Sequence, residues 1–477
     1  MLKRMRSFLV LVMLLLTTTV SAQVTTASMS GKVVDASNES LIGATVRAVH
    51  TPTGTIYNTV TQSNGQYRFQ NLRIGGPYTV EFSYVGFNPE KVSNINLVLG
   101  EDHTLNIVMK EDAQTLGEVL VVADRSSVIS SNRTGAQEII TRDKMDKMPS
   151  LSHSLTDFTK LTPMSSGSNF AGTSYRFNNV TVDGASFNNS FGLSSSLGAA
   201  GTEPISLEAL EQVQVMIAPY DVRNGAFTGA GINSVTKSGS NQWHASAYMY
   251  TKSPSMTGYR QKDDINTVTE FSNHQYGISL SGPIIKNKLF FYLNGEMDRQ
   301  EKPVNYKPRA TKNDEVTGEY SFADAQTLEQ LSQFLQNKFD YNPGTYNVGS
   351  IPTEADRITA RVDWNINQKN TLSVKYFYLK SFATNSPSTS GAPTNGRGAN
   401  SYAIPFSSCY YRTNNNFNIV MADLVTNIND RMSNTLKVGY SALRDYRDMD
   451  GGFFPQVDIL DGTSAGNAFT TFGTEVN

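Results

Sequence analysis

The residues best suited to nucleophilic or metal chemistry in this 477-residue chain are a single thiol, Cys409, and five histidines: His50, His103, His153, His244 and His274. A thiol nucleophile needs a base within reach. The histidines form no recognisable set with Cys409, so a buried or loop thiol is expected. Asp183 and Asp221 could be paired as carboxylates, but Asp183 precedes Gly184, and an Asp-Gly turn accounts for it without catalysis. The glycine-rich run Gly225 to Gly231 lacks the Gly-Lys-Ser/Thr ending and following helix of a phosphate loop. The residues therefore predict no enzyme activity, no cofactor and no metal site. One segment has recognition chemistry of another kind. Leu116-Gly117-Glu118-Val119-Leu120-Val121-Val122-Ala123 is a β-branched run with polar flanks. Such a run can join another protein's sheet edge, where backbone hydrogen bonds supply the affinity.

Composition bounds the elements that position these residues. Net charge is −2, which does not suggest a nucleic-acid binder. A mean hydropathy of −0.33 is too polar for a bundle of membrane helices but compatible with barrel strands, which are apolar on one face only. Lys3, Arg4 and Arg6 precede the apolar run Phe8 to Leu16, and Val20-Ser21-Ala22 offers a cleavage site before Gln23. Residues 1–22 therefore read as a secretory signal peptide.

Residues 23–112 read as a β-sandwich, with turn signals such as Ser63-Asn64-Gly65 recurring about every ten residues. Residues 113–125 carry the extended segment, and residues 126–240 are mixed α/β. In that stretch Thr141 caps a short helix to Met148, Leu151 to Leu161 is a second helix, and Ser206 caps a third over Leu207 to Gln212. Asn179 to Gly184 is a strand entering a turn, and Val213 to Ile217 and Asn233 to Thr236 are further strands.

Residues 241–477 switch to period-2 alternation. Ile358, Ala360, Val362 and Trp364 fall on one face, and Thr359, Arg361 and Asp363 on the other. Seven strands are expected near 242–250, 273–282, 289–299, 356–365, 371–380, 413–428 and 434–445. Asp423 falls on the otherwise apolar face of the sixth. Short connections alternate with long polar ones, as in membrane barrels. Phe322 to Phe339 reads as a helix inside a long loop, with Leu328, Leu331 and Leu335 on one side.

Several of these stretches resemble known families. Gly31 to Asp35, Leu41 to Val46, Ser63 to Phe69 and Tyr84 to Phe87 resemble the carboxypeptidase regulatory-like domain, which is not catalytic. Leu116 to Ala123 looks like a TonB box. Pro204 to Val215, Ala218 to Arg223 and Gly229 to Gly239 are similar to the plug of Oar-like TonB-dependent outer-membrane receptors, and Gly282 to Phe291 resembles their early barrel hairpin. The Lys-Asp-Ala-Ser stretch of SusC-type receptors is absent.

The resemblance implies a mainly β chain: an N-terminal β-sandwich, a mixed α/β plug and an incomplete transmembrane antiparallel β-barrel. It implies location in a Gram-negative outer membrane, and contact of Glu118, Val119, Leu120, Val121, Val122 and Ala123 with a TonB-type energy-coupling protein. Asp183, Gly184, Pro219, Gly229, Gly231 and Asn233 become the plug-motif positions. The partners implied are outer-membrane lipid, an unidentified external ligand and, as in SusC-type receptors, a lipoprotein. Uptake of that ligand is the expected function; an adhesion or protein-export role of Oar type is the alternative. Seven strands cannot close a receptor barrel, which needs about 22. The ending Thr474 to Asn477 lacks the usual terminal aromatic residue, so a truncated product, a fragment or part of a split receptor is expected.

Overall fold

The computed structural model describes residues 24–111, 119–122, 135–150, 153–188, 198, 202–219, 224–258, 260–261, 264–265, 271–429 and 432–474. The signal peptide expected over residues 1–22 lies outside them.

The N-terminal strands are β1 (Ala27–Val34), β2 (Thr45–His50), β3 (Thr55–Val60), β4 (Gln66–Leu72), β5 (Gly75–Ser83), β6 (Glu90–Leu97), β7 (Asp102–Thr104) and β8 (Ile107–Val108), followed by β9 (Val119–Val122). They form two sheets. One has the order β4-β1-β7, with β8 also on β1; the other has the order β3-β2-β5-β6-β9. Alternating residues from both sheets, among them Met29, Val46, Tyr67, Tyr78 and Phe82, fill one core. This is the expected sandwich, with an unexpected addition. The extended segment after it returns as the fifth strand of its second sheet.

The middle region contains β10 (Gly135–Thr141), α1 (Arg142–Lys147), α2 (Leu155–Thr159), β11 (Asn179–Val182), β12 (Ala185–Ser186), β13 (Leu210–Pro219) and β14 (Gly231–Thr236). Its sheet order is β10-β13-β14-β11-β12. The helix expected over Leu207 to Gln212 is one 3-10 turn, Leu207–Ala209, with the Ser206 hydroxyl accepting from Glu208 N–H. Leu210 already belongs to β13, where Gln212 and Val213 pair with Val235 and Ser234. Sheet pairing overrides the local helical pattern there. Of the helix expected over Leu151 to Leu161, α2 keeps only Leu155–Thr159; Leu151 and Ser152 lie outside the described residues.

The C-terminal half is a single antiparallel sheet in sequence order: β15 (His244–Lys252), β16 (Ser272–Ile285), β17 (Leu289–Pro303), β18 (Ser350–Asn365), β19 (Asn370–Asn385), β20 (Tyr411–Asn429) and β21 (Met432–Met449). All seven expected strands are present, several of them longer than expected. The sheet does not close. Among the described residues, nothing pairs with the outer sides of β15 and β21.

This sheet inverts the usual distribution of polarity. Ile358, Val362 and Trp364 are about two-fifths exposed, whereas Thr359 and Asp363 are buried and the Arg361 side chain is only 10% exposed. The same holds for exposed Val374 against buried Lys375. Phe290 and Tyr292, which blur the pattern of β17, are buried on the inner face, and Leu293 is exposed on the outer one. In β20 the inner face carries Phe417, Ile419, Met421 and Asp423 together. Asp423 therefore does not face lipid. Its face looks apolar because Phe187 of the middle region packs against Phe417 and Phe377.

At the long-loop end, α3 (Ala325–Phe339) starts at Asp324, whose carboxylate accepts from Thr327 N–H. Leu328 and Leu335 of this helix share a small core with Phe406, Phe469 and Phe472 from two later loops. Among the described residues, no helix is long and apolar enough to cross a membrane.

An apolar outer face matters only in hydrocarbon. Replacing Ile358 by Arg near mid-strand should cost about 2–4 kcal/mol of stability in lipid vesicles, read from urea titrations. An unchanged midpoint would mean that this face meets water.

Candidate functional site

The three units meet at the end of the barrel sheet that carries the short turns. Asp183 lies in the tight turn between β11 and β12, with φ of 53°, and Gly184 follows at 89°. Both are left-handed, as the Asp-Gly signal requires. The turn lowers Asp183 into the interior, where it is fully buried. Its carboxylate accepts from the Thr236 hydroxyl of β14 and pairs with Lys375 (3.4 Å) and Arg361 (3.7 Å) of the barrel sheet.

The network extends to both sides. Lys375 Nζ lies 2.7 Å from Asp423, which Lys437 approaches at 3.5 Å. Arg361 holds Asp363 at 2.9 Å, and Arg73, between β4 and β5 of the sandwich, reaches the same carboxylate at 3.3 Å. The Arg361 guanidinium also donates to the Thr236 carbonyl at 2.9 Å. Arg73, Arg361, Lys375 and Lys437 thus face Asp183, Asp363 and Asp423: four cations against three carboxylates, a net of +1. Beside them lies a cavity of about 190 Å³ lined in part by His50, Arg73, Asp183, Glu211 and Lys375. Burial raises the Glu211 carboxyl above its ordinary value. Burial and the Arg73 charge push His50 down to about 3, so it stays neutral.

Further contacts seat the sandwich on the short turns. Asn365 donates to the Thr55 hydroxyl (2.9 Å), Ser433 to the Gln70 side chain (2.8 Å), and Asn241 N–H to the Pro52 carbonyl (2.8 Å). Gly54, with φ of +64°, lies so close to the barrel that a Cβ there would sit 2.3 Å from Asn287 Oδ1. The Gln212 side chain of β13 accepts from Leu99 N–H and donates to the Leu97 carbonyl, joining the middle sheet to the sandwich.

A second polar cluster ties the middle region to the wall nearer the long loops. Arg142 Nη2 donates to both Glu208 carboxylate oxygens at 2.8 Å, with Lys237 at 3.4 Å and His153 at 3.6 Å. Burial opposes its charge, but the His153 hydrogen bond, Arg142 and Lys237 outweigh that and hold its carboxyl at about 2. His153 stacks on Tyr250, and Tyr292 donates to the Glu208 carbonyl. Arg357 of β18 pairs with Glu296 (2.6 Å) and Asp298 (3.3 Å) and donates to the Glu203 carbonyl (2.6 Å). These residues border a cavity of about 420 Å³ between the middle region and the sheet.

Of the plug-motif positions, Asp183 and Gly184 lie in the junction, and Asn233 donates to the Val24 carbonyl just ahead of the sandwich. Gly229 and Gly231 are packing positions, where a Cβ would fall 2.4 Å from Asn178 Oδ1 and 2.7 Å from the Phe227 ring. Pro219 ends β13 opposite Gly135, apart from the ion network. Val119 to Val122 form β9; Glu118, Ala123 and Asp221 lie outside the described residues. Sequence reasoning missed Arg73, Arg361, Lys375 and Asp423 as a set. The polar alternation in β18 and β19 was the available signal. Cys409 is buried in the long-loop core, its thiol pushed up to about 12 by burial and donating to the Phe406 carbonyl. Among the described residues, no group of three His, Cys, Asp or Glu could hold a metal ion. The arrangement holds the middle region against the barrel sheet through Asp183, Arg361 and Lys375.

Comparison with known proteins agrees with this architecture. Residues 28–110 match the carboxypeptidase regulatory-like domain, and residues 235–475 match the outer membrane beta barrel domain. The TonB-dependent transporter Oar of Myxococcus xanthus is 29% identical over 252 residues, covering 49% of this chain and 23% of the relative. The probable TonB-dependent siderophore receptor PirA of Acinetobacter baumannii is 25% identical over 257 residues, covering 47% of this chain and 32% of the relative. The aligned regions thus span less than a third of these relatives' lengths. Among solved structures, the outer membrane transporter YddB from Escherichia coli superposes over 71% of this chain and 43% of its own, with a TM-score of 0.47 and 14% identity.

Removing one partner from a buried ion pair typically costs about 3–5 kcal/mol. Asp183→Asn should therefore lower the unfolding temperature of the middle region clearly; a wild-type melt would show that the network is dispensable. The depressed Glu208 carboxyl stabilises the fold fully above its ordinary value of 4.5, and this contribution is lost as pH falls toward 2. In acid titrations Glu208→Gln should flatten the stability loss across that window. A curve parallel to wild type would contradict the assignment.

Proposed function

The chain belongs to the outer membrane beta barrel domain family, and from that premise we propose that it works in a TonB-dependent receptor that imports an external ligand. The barrel sheet lies in the outer membrane with its apolar face to lipid. The middle region is the plug, held against the inner polar face. Long loops face outward, and the short turns with the sandwich face the periplasm. Unpaired sheet edges are costly in hydrocarbon, so the transporting form is one in which β15 and β21 are joined by further strands. The ligand binds at the loops and the outer side of the plug. A TonB-type protein grips the segment around Val119 to Val122 and applies inner-membrane energy, which shifts the plug.

The observation that carries this reading is the ion network around Asp183. It joins plug to wall through charged groups that hold strongly while dry and exchange partners readily once water enters. An insert meant to stay would be packed more cheaply with apolar groups.

A second reading, adhesion or protein export, draws on the ordered outer lobe, where Phe334 and Phe339 are half-exposed and Phe453 is almost fully exposed. Deletion separates the two: loss of uptake supports transport, whereas loss of surface attachment or secretion supports the alternative.

Ferric siderophores are the first probes to use, given the named role of the Acinetobacter relative. Val121→Pro removes a backbone donor from the gripped strand. Uptake of radiolabelled iron should fall at least about tenfold while binding at the cell surface persists. Unchanged uptake would remove the coupling assignment.

A further inference from the structure

The segment read as the coupling contact is already a strand. Val119 to Val122 pair in parallel with Glu90 to Ser93 of β6, residue for residue. In the order β3-β2-β5-β6-β9 this makes β9 an outer edge, and among the described residues no strand occupies its other side. At the opposite edge, β3 begins with Thr55, whose hydroxyl accepts from Asn365 at the barrel's short turn. One sheet therefore runs from the barrel rim to the coupling segment, four strand spacings or about 19 Å.

We propose that the energy-coupling partner docks on the free side of β9 as the sixth strand of this sheet, rather than capturing a loose peptide. This rests on the reading of Val119 to Val122 as the coupling contact. The partner it fits is a protein with an exposed strand edge of its own, because a sheet edge offers only backbone donors and acceptors in register. A free peptide must be ordered when it binds, whereas a strand held on β6 has lost that freedom beforehand. Force on β9 then passes through β6, β5 and β2 to β3 and its contact with Asn365. The sandwich is the first body to be drawn from the barrel, and its departure separates Arg73 from Asp363.

The test compares two ligands for one probe, the purified periplasmic domain of the TonB-type protein. The full chain and a synthetic peptide of residues 116–123 are titrated separately by calorimetry. The chain should bind at least about tenfold tighter than the peptide, since its strand is ordered beforehand. Hydrogen exchange should show alternate amides of Val119 to Val122, those turned to β6, protected in the free chain; the others should gain protection in the complex, with the β6 edge still protected. A chain that binds no tighter than the peptide, or a β6 edge that loses protection on binding, would mean that the partner competes with β6, and would overturn the proposal while leaving the coupling contact intact. Failure of both chain and peptide to bind would remove the coupling contact, and the proposal with it.

Discussion

A strand that crosses hydrocarbon has no water to satisfy its backbone and no solvent for its polar side chains. This constraint organises the C-terminal half of the chain. Each strand between β15 and β21 is paired on both sides, and along β18 and β19 apolar residues such as Ile358, Val362 and Val374 point outward while Thr359, Asp363 and Lys375 point inward. Those inward groups then need partners of their own, which the middle region supplies. Asp183 enters between Arg361 and Lys375, and the Glu203 carbonyl accepts from Arg357. Apolar patches of the inner face, such as Phe377 and Phe417, are covered by Phe187.

Such a junction costs desolvation. Buried charges are tolerated when each has several partners. Asp363 meets this condition with Arg361, Arg73 and the Ser373 hydroxyl. A packed apolar interface would hold at least as firmly, but water could not loosen it. Under the proposed transport function, the charged junction combines rigidity when dry with the route to release that a movable insert requires. The sandwich takes part through Arg73, so closure of the short-turn end and retention of the middle region draw on the same carboxylate.

Much of this is legible in the sequence because period-2 alternation is a local property. Ile358 to Trp364 announces both its conformation and its two faces, and the strands on either side of Asn287 and Asn367 emerge where alternation placed them. Asp423 is the exception. Its neighbour Phe417 packs on Phe187, more than two hundred residues earlier in the chain, and Ile419 and Met421 belong to the same buried cluster, which no local pattern reveals. Leu207 to Gln212 reads as a helix because six residues cannot distinguish the two periods, and pairing with β14 decides for strand. Asp183 is legible as a turn residue but not as the hub of an ion network, since its partners lie 178 and 192 positions away at Arg361 and Lys375. The return of Val119 to β6 is likewise a tertiary event that composition cannot signal.

The central claim is that one face of the barrel sheet meets lipid and the other the plug. Nitroxide labels placed singly at each position from 358 to 364 in the membrane-embedded protein test it directly. Accessibility to dissolved oxygen should peak at 358, 360, 362 and 364, with collisions with a water-soluble nickel chelate low throughout. Nickel collisions that peak at those same four positions would mean that the apolar face lies in water, and would contradict the account.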